Sequence, residues 1–214
     1  MKFMENIIAM KIVVINGRAQ SGKDTFVEFA QNWAQEQGIK HPERNIFVYN
    51  ISSVGFIKDI AKKAGWDGIK DERGRKLLSD LKDCLTEYDD IPFKKMIKLI
   101  NFHLLGMKGF KKPTNNIVFF LHVREPKEIK RLVNEYHAVS LFIRRPGQEL
   151  IESNHADKNV EDYKYDIYFN NDGNLNDLKL AVENFMEKLI IEPWRSYGEG
   201  IESWDEEDPW VKLP

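Results

Sequence analysis

The chain has 214 residues with 32 Lys+Arg against 34 Asp+Glu, a formal net charge of −2. That balance excludes a strongly basic nucleic-acid wrapper but leaves room for a local cationic pocket. Apolar residues at 42% and aromatics at 12% suffice for the core of one domain of ordinary size. A single cysteine, Cys84, permits neither an internal disulfide nor a multi-cysteine zinc site, which points to a reducing, cytoplasmic setting. Cys84 itself reads as a small helical core residue. The stretch Met1 to Ile15 is interrupted by Lys2, Glu5, Asn6 and Lys11 and does not read as an export signal. No run approaches the roughly 20 apolar residues of a membrane span. The expected partners are therefore small molecules, with neither a membrane nor a nucleic-acid polymer among them.

Residues Lys11 to Asn16 (KIVVIN) form an apolar β-branched run ending at Gly17, as in a strand buried on both faces of a parallel sheet. From Asp24 to Gln37 the period changes, with Phe26, Phe29, Ala30 and Trp33 forming one stripe of an amphipathic helix. A second strand over Ile46 to Ile51 precedes three helical segments, Val54 to Ala64, Glu72 to Tyr88 and Pro92 to Leu105. These make a helical insertion of about residues 54–105 between the second and third strands. After a turn over Gly106 to Asn116, the most hydrophobic segment, Ile117 to Val123, reads as a third strand in the middle of the sheet.

A helix over Pro126 to Tyr136 and a strand over Ala138 to Arg144 follow at α/β spacing. The aperiodic polar stretch 145–164 suits a lid. A strand over Asp166 to Phe169 and a helix over Leu175 to Leu189, capped by Asn174, complete the alternation. The expected domain spans 1–190, and a Trp-containing acidic tail, 191–214, packs on it.

The chemistry-bearing segment is Gly17-Arg18-Ala19-Gln20-Ser21-Gly22-Lys23-Asp24-Thr25. It fits G-x-x-x-x-G-K, the Walker A loop, in which successive backbone N–H groups turn toward a polyphosphate. Gly17 and Gly22 admit the close approach, Ala19 and Ser21 lie in the cradle, and Lys23 reaches the β- and γ-phosphates beside the positive helix end. Asp24 stands where a hydroxyl would usually meet magnesium, and the hydroxyl follows at Thr25. Both are candidate metal residues, and Asp24 is equally a helix-N-terminal anion favoured by the dipole.

The Gly-Lys-Asp-Thr form of the loop resembles the deoxynucleoside monophosphate kinases of phages and bacteria, and less closely phosphomevalonate kinase. Segments Ser52 to Ala61, Arg75 to Leu81, Val123 to Pro126 with Glu128, Phe142 to Arg145, and Asp166 to Leu178 resemble the former family in order and spacing. The resemblance implies a three-layer P-loop kinase fold with a central, mostly parallel sheet, a helical insertion and a lid. It implies ATP with Mg2+ as donor and a nucleoside monophosphate as acceptor; the chain is expected as a monomer or homodimer. Lys58 and Arg75 match the acceptor side, Arg124 the arginine at the end of the third strand, and Arg144 or Arg145 the arginine before the lid. Relatives often carry an Asp two residues before the strand-end arginine, a place that His122 takes here.

Arginines at these places suit bidentate contacts to phosphate during transfer. Each also admits a plainer account as a solvated charge or ion-pair partner, and His122 one as a satisfied buried histidine. Tyr163, Tyr165 and Phe169 are candidates for stacking a base or for core packing. His155, Asp157 and Asp162 could suggest a metal, but their spacing fits a hydrated loop better. The principal expectation is a nucleoside monophosphate kinase acting on deoxynucleotides. The alternatives are a P-loop kinase of another small phosphorylated metabolite, of the phosphomevalonate- or dephospho-coenzyme A-kinase type, and a nucleotide-binding protein without turnover.

Overall fold

The computed structural model describes residues 7–42, 44–107, 114–147 and 163–191. In chain order these form β1 (Ile7–Gly17), α1 (Lys23–Lys40), β2 (Arg44–Ser52), α2 (Gly55–Lys63), α3 (Glu72–Asp89) and α4 (Ile91–Met107). Then follow β3 (Thr114–His122), α5 (Pro126–Tyr136), β4 (Val139–Arg144), β5 (Ile167–Asn170) and α6 (Leu175–Ile191).

The described strands form one sheet in the order β2-β3-β1-β4-β5, and every pairing is parallel. Parallel strands need covered faces, and the core lies accordingly in two layers. On one side Val13, Ile15, Val118 and Phe120 pack against Phe26, Ala30 and Trp33 of α1 and Val182, Phe185 and Leu189 of α6. On the other, Ile12, Val14, Ile117, Phe119 and Leu121 pack against Phe93, Met96 and Ile100 of α4 and Ile129 and Leu132 of α5. This is a three-layer α/β fold with the Gly17 to Thr25 loop leaving the central strand of a parallel sheet, the layered arrangement that the resemblance implies.

β1 holds the middle place, and β3 lies between it and β2, so the central position expected for the third strand belongs to the first. Hydrophobicity on both faces marks a strand as interior without ranking interior strands, since each is covered equally. β1 also begins earlier than its apolar run, because ladder bonds from Ile7 opposite Thr114 onward do not depend on side-chain polarity. The three helices between β2 and β3 occur as read. Asp71 caps α3, its Oδ1 accepting from the Gly74 N–H at 2.7 Å. Asn174 caps α6, accepting from the N–H groups of Asn176 and Asp177.

Cys84 is exposed, contrary to its reading as a core residue. Its neighbours Leu81 and Leu85 are half-buried and take the inner side of α3. Most of the proposed lid, residues 148–162, and residues 192–214 of the tail lie outside the described residues, as do His155, Asp157 and Asp162.

Candidate functional site

The loop is shaped by three residues with positive φ: Gly17 at 144°, Gln20 at 60° and Gly22 at 97°. A Cβ on Gly17 would lie 2.3 Å from the Ile143 carbonyl oxygen, and one on Gly22 would lie 2.4 Å from Asn171 Nδ2. Glycine is thus required at both places, by conformation and by space. Ser21 is fully buried, while Ala19 and Gln20 form an exposed crest.

Two asparagines fasten the loop. Asn16 is buried; its Oδ1 accepts from the Gly17 N–H at 2.9 Å, and its Nδ2 donates to the Val123 carbonyl at 3.0 Å and to Tyr165 Oη at 2.8 Å. One side chain therefore ties the end of β1 to the chain after β3 and to the entry of β5. Asn171 donates from Nδ2 to the Ser21 carbonyl at 2.9 Å and from its N–H to the Arg144 carbonyl at 2.7 Å. Neither asparagine belongs to a sequence motif. Asn16 had a signal, a polar residue closing an apolar strand directly before the loop, but Asn171 had only its place in a resembling segment.

Lys23 turns back into the loop. Its ammonium donates to the carbonyls of Gly17 at 2.8 Å and Arg18 at 2.5 Å, and reaches Ser21 Oγ at 3.4 Å. These oxygens hold the ammonium within the loop.

Around the loop the structure gathers several of the expected residues. His122 ends β3, opposite Ile15 of β1 and Ser52 of β2. Burial lowers its imidazole pKa to about 4; Lys23, Arg124 and Lys58 push the same way, and Asp24 opposes them. Burial also lowers the Lys58 ammonium, with Lys70, Arg124 and Lys62 adding repulsion and Asp24 opposing. Lys23, Asp24, Lys58, Arg124 and His122 thus share one electrostatic neighbourhood at the carboxyl end of the sheet, and Lys70 joins it through Lys58. Lys70 carries no signal in the sequence, because it lies in the turn between helices, outside any motif.

Arg75 lies exposed near the start of α3, and Arg145 lies exposed beyond β4. The Arg144 guanidinium lies over the rings of Tyr168 at 4.7 Å and Phe142 at 5.8 Å. Among the described contacts, the side chains of these three arginines do not join the group around Lys23. Tyr165 and Phe169 are buried and Tyr163 half-buried, in keeping with core packing.

No protein-family model matches the chain, and no curated protein sequence matches it. Solved structures do match. The APS kinase CysC of Mycobacterium tuberculosis in complex with AMPPNP and APS is 12% identical, with a TM-score of 0.41, covering 85% of this chain and 99% of that one. A cysteine-to-alanine variant of the same kinase has a TM-score of 0.40 at 12% identity, again over 85% and 99%. The crystal structure of APE1195 is 13% identical with a TM-score of 0.41, covering 88% of this chain and 100% of that one.

Chemically, the arrangement suits an anion. Backbone amides, a helix N-terminus and a cationic group converge on one edge of the sheet. Among the described residues no group of three or more His, Cys, Asp or Glu could cage a metal ion. A cation carried by a triphosphate needs no such cage, because phosphate oxygens and water fill most of its shell. The residues fit a cation of that kind: Thr25 in the first turn of α1, Asp24 beside it, and the buried His122 Nε2, which has no hydrogen-bond partner. Among the described residues no helix is long and apolar enough to cross a membrane.

Proposed function

We propose that this chain is an ATP-dependent phosphotransferase that moves the γ-phosphoryl group of ATP to the phosphate of a nucleoside monophosphate, with deoxynucleotides as its preferred acceptors. The observation that carries this reading is the loop Gly17 to Thr25, held open by Asn16 and Asn171, with Lys23 at its centre and Lys58 and Arg124 on the same edge of the sheet.

Phosphoryl transfer asks a protein to position two anions and neutralise developing charge, with little covalent chemistry of its own. The loop amides take the β-phosphate, and Lys23 leaves the carbonyls of Gly17 and Arg18 to bridge the β- and γ-phosphates. Arg124 and Lys58 face the acceptor phosphate across the cup, and Arg75, Arg144 and Arg145 remain candidates for contacts in a closed complex. Thr25 and Asp24 are the residues that would hold Mg2+, which when bound neutralises phosphate charge.

The test is a coupled assay of ADP and diphosphate formation with MgATP and each ribo- and deoxynucleoside monophosphate. Acceptor-dependent turnover with nucleotides supports the reading, and greater efficiency with the deoxy forms supports its finer part. Turnover only with another phosphorylated metabolite replaces the acceptor. Tight ATP binding without turnover on any acceptor replaces the enzyme with a nucleotide-binding protein.

A further inference from the structure

Helix α4 carries two apolar stripes, and the described residues cover only one of them. The inner stripe, Phe93, Met96 and Ile100, is buried against the sheet. The outer one consists of Leu99, Phe102 and Leu105, which are 42%, 69% and 60% exposed. Lys95 and Lys98 are exposed as well, and counted from Lys95 these positions fall at i, i+3, i+4, i+7 and i+10, which is one face of a helix. A helix apolar on both sides is ordinarily buried on both. The outer face of α4 is therefore built to be covered.

The charges on that face select the cover. α4 contains Lys94, Lys95 and Lys98 and no Asp or Glu. Lys94 is paired with Asp89, and the Lys95 ammonium lies over the Phe56 ring at 5.3 Å. A second copy meeting this face across a two-fold axis would present the same lysines, with no acid in either helix to answer them. An occupant that is both acidic and aromatic fits better.

The chain contains such a segment. Residues 192–214 hold seven acidic residues against two basic ones, whereas residues 1–191 hold 27 against 30. Opposite charges thus sit on the tail and on the domain. Within the tail, Trp204 and Trp210 bracket the run Asp205, Glu206, Glu207, Asp208. Tryptophan is a favoured anchor in small interfaces, and the face of its ring attracts a lysine ammonium.

The tether is long enough. α6 ends at Ile191 on one side of the sheet, and α4 lies on the other. Helical layers on the two faces of a sheet are about 20 Å apart, and the 13 residues from Ile191 to Trp204 extend to about 40 Å. Tethering at that length supplies an effective concentration on the order of 1 mM, so a contact with a Kd of about 0.1 mM would be mostly occupied.

From the exposed stripe and its complementary charge we infer that residues 201–214 dock on the outer face of α4 in the same chain. Trp204 and Trp210 cover Leu99, Phe102 and Leu105, and the acidic run between them faces Lys95 and Lys98.

The experiment uses the full chain at low micromolar concentration, with the photoreactive residue p-benzoylphenylalanine in place of the exposed Phe102. After irradiation, gel electrophoresis separates monomer-sized from dimer-sized products, and mass spectrometry locates the cross-link. The expected product is monomer-sized, joins position 102 to residues 201–214, and keeps its yield over about a tenfold dilution. Neutralising the run with Asp205→Asn, Glu206→Gln, Glu207→Gln and Asp208→Asn should lower the yield at least about fivefold, as should about 1 M salt. Trp204→Ser with Trp210→Ser should lower it equally. None of these tail substitutions alters a residue of the described domain, so a lost cross-link does not report a lost fold. A dimer-sized product gives the face to a second copy and overturns the inference. Cross-links that miss residues 201–214, or an undiminished yield from the neutralised tail, overturn it as well.

Discussion

Lys23 shows how far the proposed site is ordered by the chain's own groups. Its ammonium is held by two carbonyls and a hydroxyl of its own loop, so the cup is shaped around a cation rather than collapsed. Lys23→Ala should reduce turnover by at least about a hundredfold, the scale of losing one preorganised charge contact in a transition state. The far-ultraviolet circular dichroism should not change. Steady-state kinetics with saturating acceptor measures this, and an unaltered kcat removes Lys23 from the mechanism.

His122 supports a separate stability prediction for the metal-free protein. Its imidazole pKa is about 4 when folded, against an ordinary 6.5. Between those values the unfolded chain binds a proton that the folded chain refuses, so stability falls as pH drops from about 6.5 to 4. The two pKa values set this single-group contribution at on the order of 3 kcal/mol. Urea melts of wild type and His122→Gln at pH 7, 5.5 and 4.5 should diverge in that direction, with the variant less sensitive to acid.

Among the elements, the helical insertion is tied to α5 by charge. Lys82 Nζ of α3 lies 3.0 Å from Glu128 Oε1 of α5, with side chains only 11% and 13% exposed. Arg131 of α5 pairs with Asp90 in the turn between α3 and α4 and lies over the Phe93 ring at 3.8 Å. Burial raises the Glu128 carboxyl pKa, and Lys82 counteracts it, so removing the lysine leaves an uncompensated buried acid. Lys82→Ala should cost about 3 kcal/mol in chemical denaturation, whereas the paired change Lys82→Met with Glu128→Leu should cost far less. Equal losses would show that packing around the pair matters and its charge does not.

In the whole molecule, a net charge of −2 conceals a concentrated cationic edge. Lys23, Lys58, Lys70 and Arg124 gather at the carboxyl end of the sheet, with Asp24 as the acid facing them. The acceptor KM should therefore rise several-fold between about 0.1 M and 1 M salt, as the screening length shortens from ~10 Å to ~3 Å, with a smaller change in kcat. Steady-state kinetics at fixed MgATP measures it. A KM indifferent to salt would remove the cations from acceptor binding.

What the sequence determined by itself is local. The apolar run before Gly17, the period-3.6 stripe of Phe26, Ala30 and Trp33, and the glycine-lysine spacing between them each report on a few neighbouring residues. Short-range sterics and amphipathic burial suffice to specify strand, loop and helix. The tertiary structure alone decided that β1 rather than β3 is central and that Cys84 faces water. It alone joined Asn171 to Ser21 across 150 positions, brought Lys70 beside Lys58 and laid the Arg144 guanidinium over Phe142 and Tyr168. It also left His122 Nε2 buried without a partner. Strand order, helix orientation and the meeting of distant side chains depend on how amphipathic faces are shared among elements far apart in the chain. Periodicity says that a face is covered, and only packing says by what.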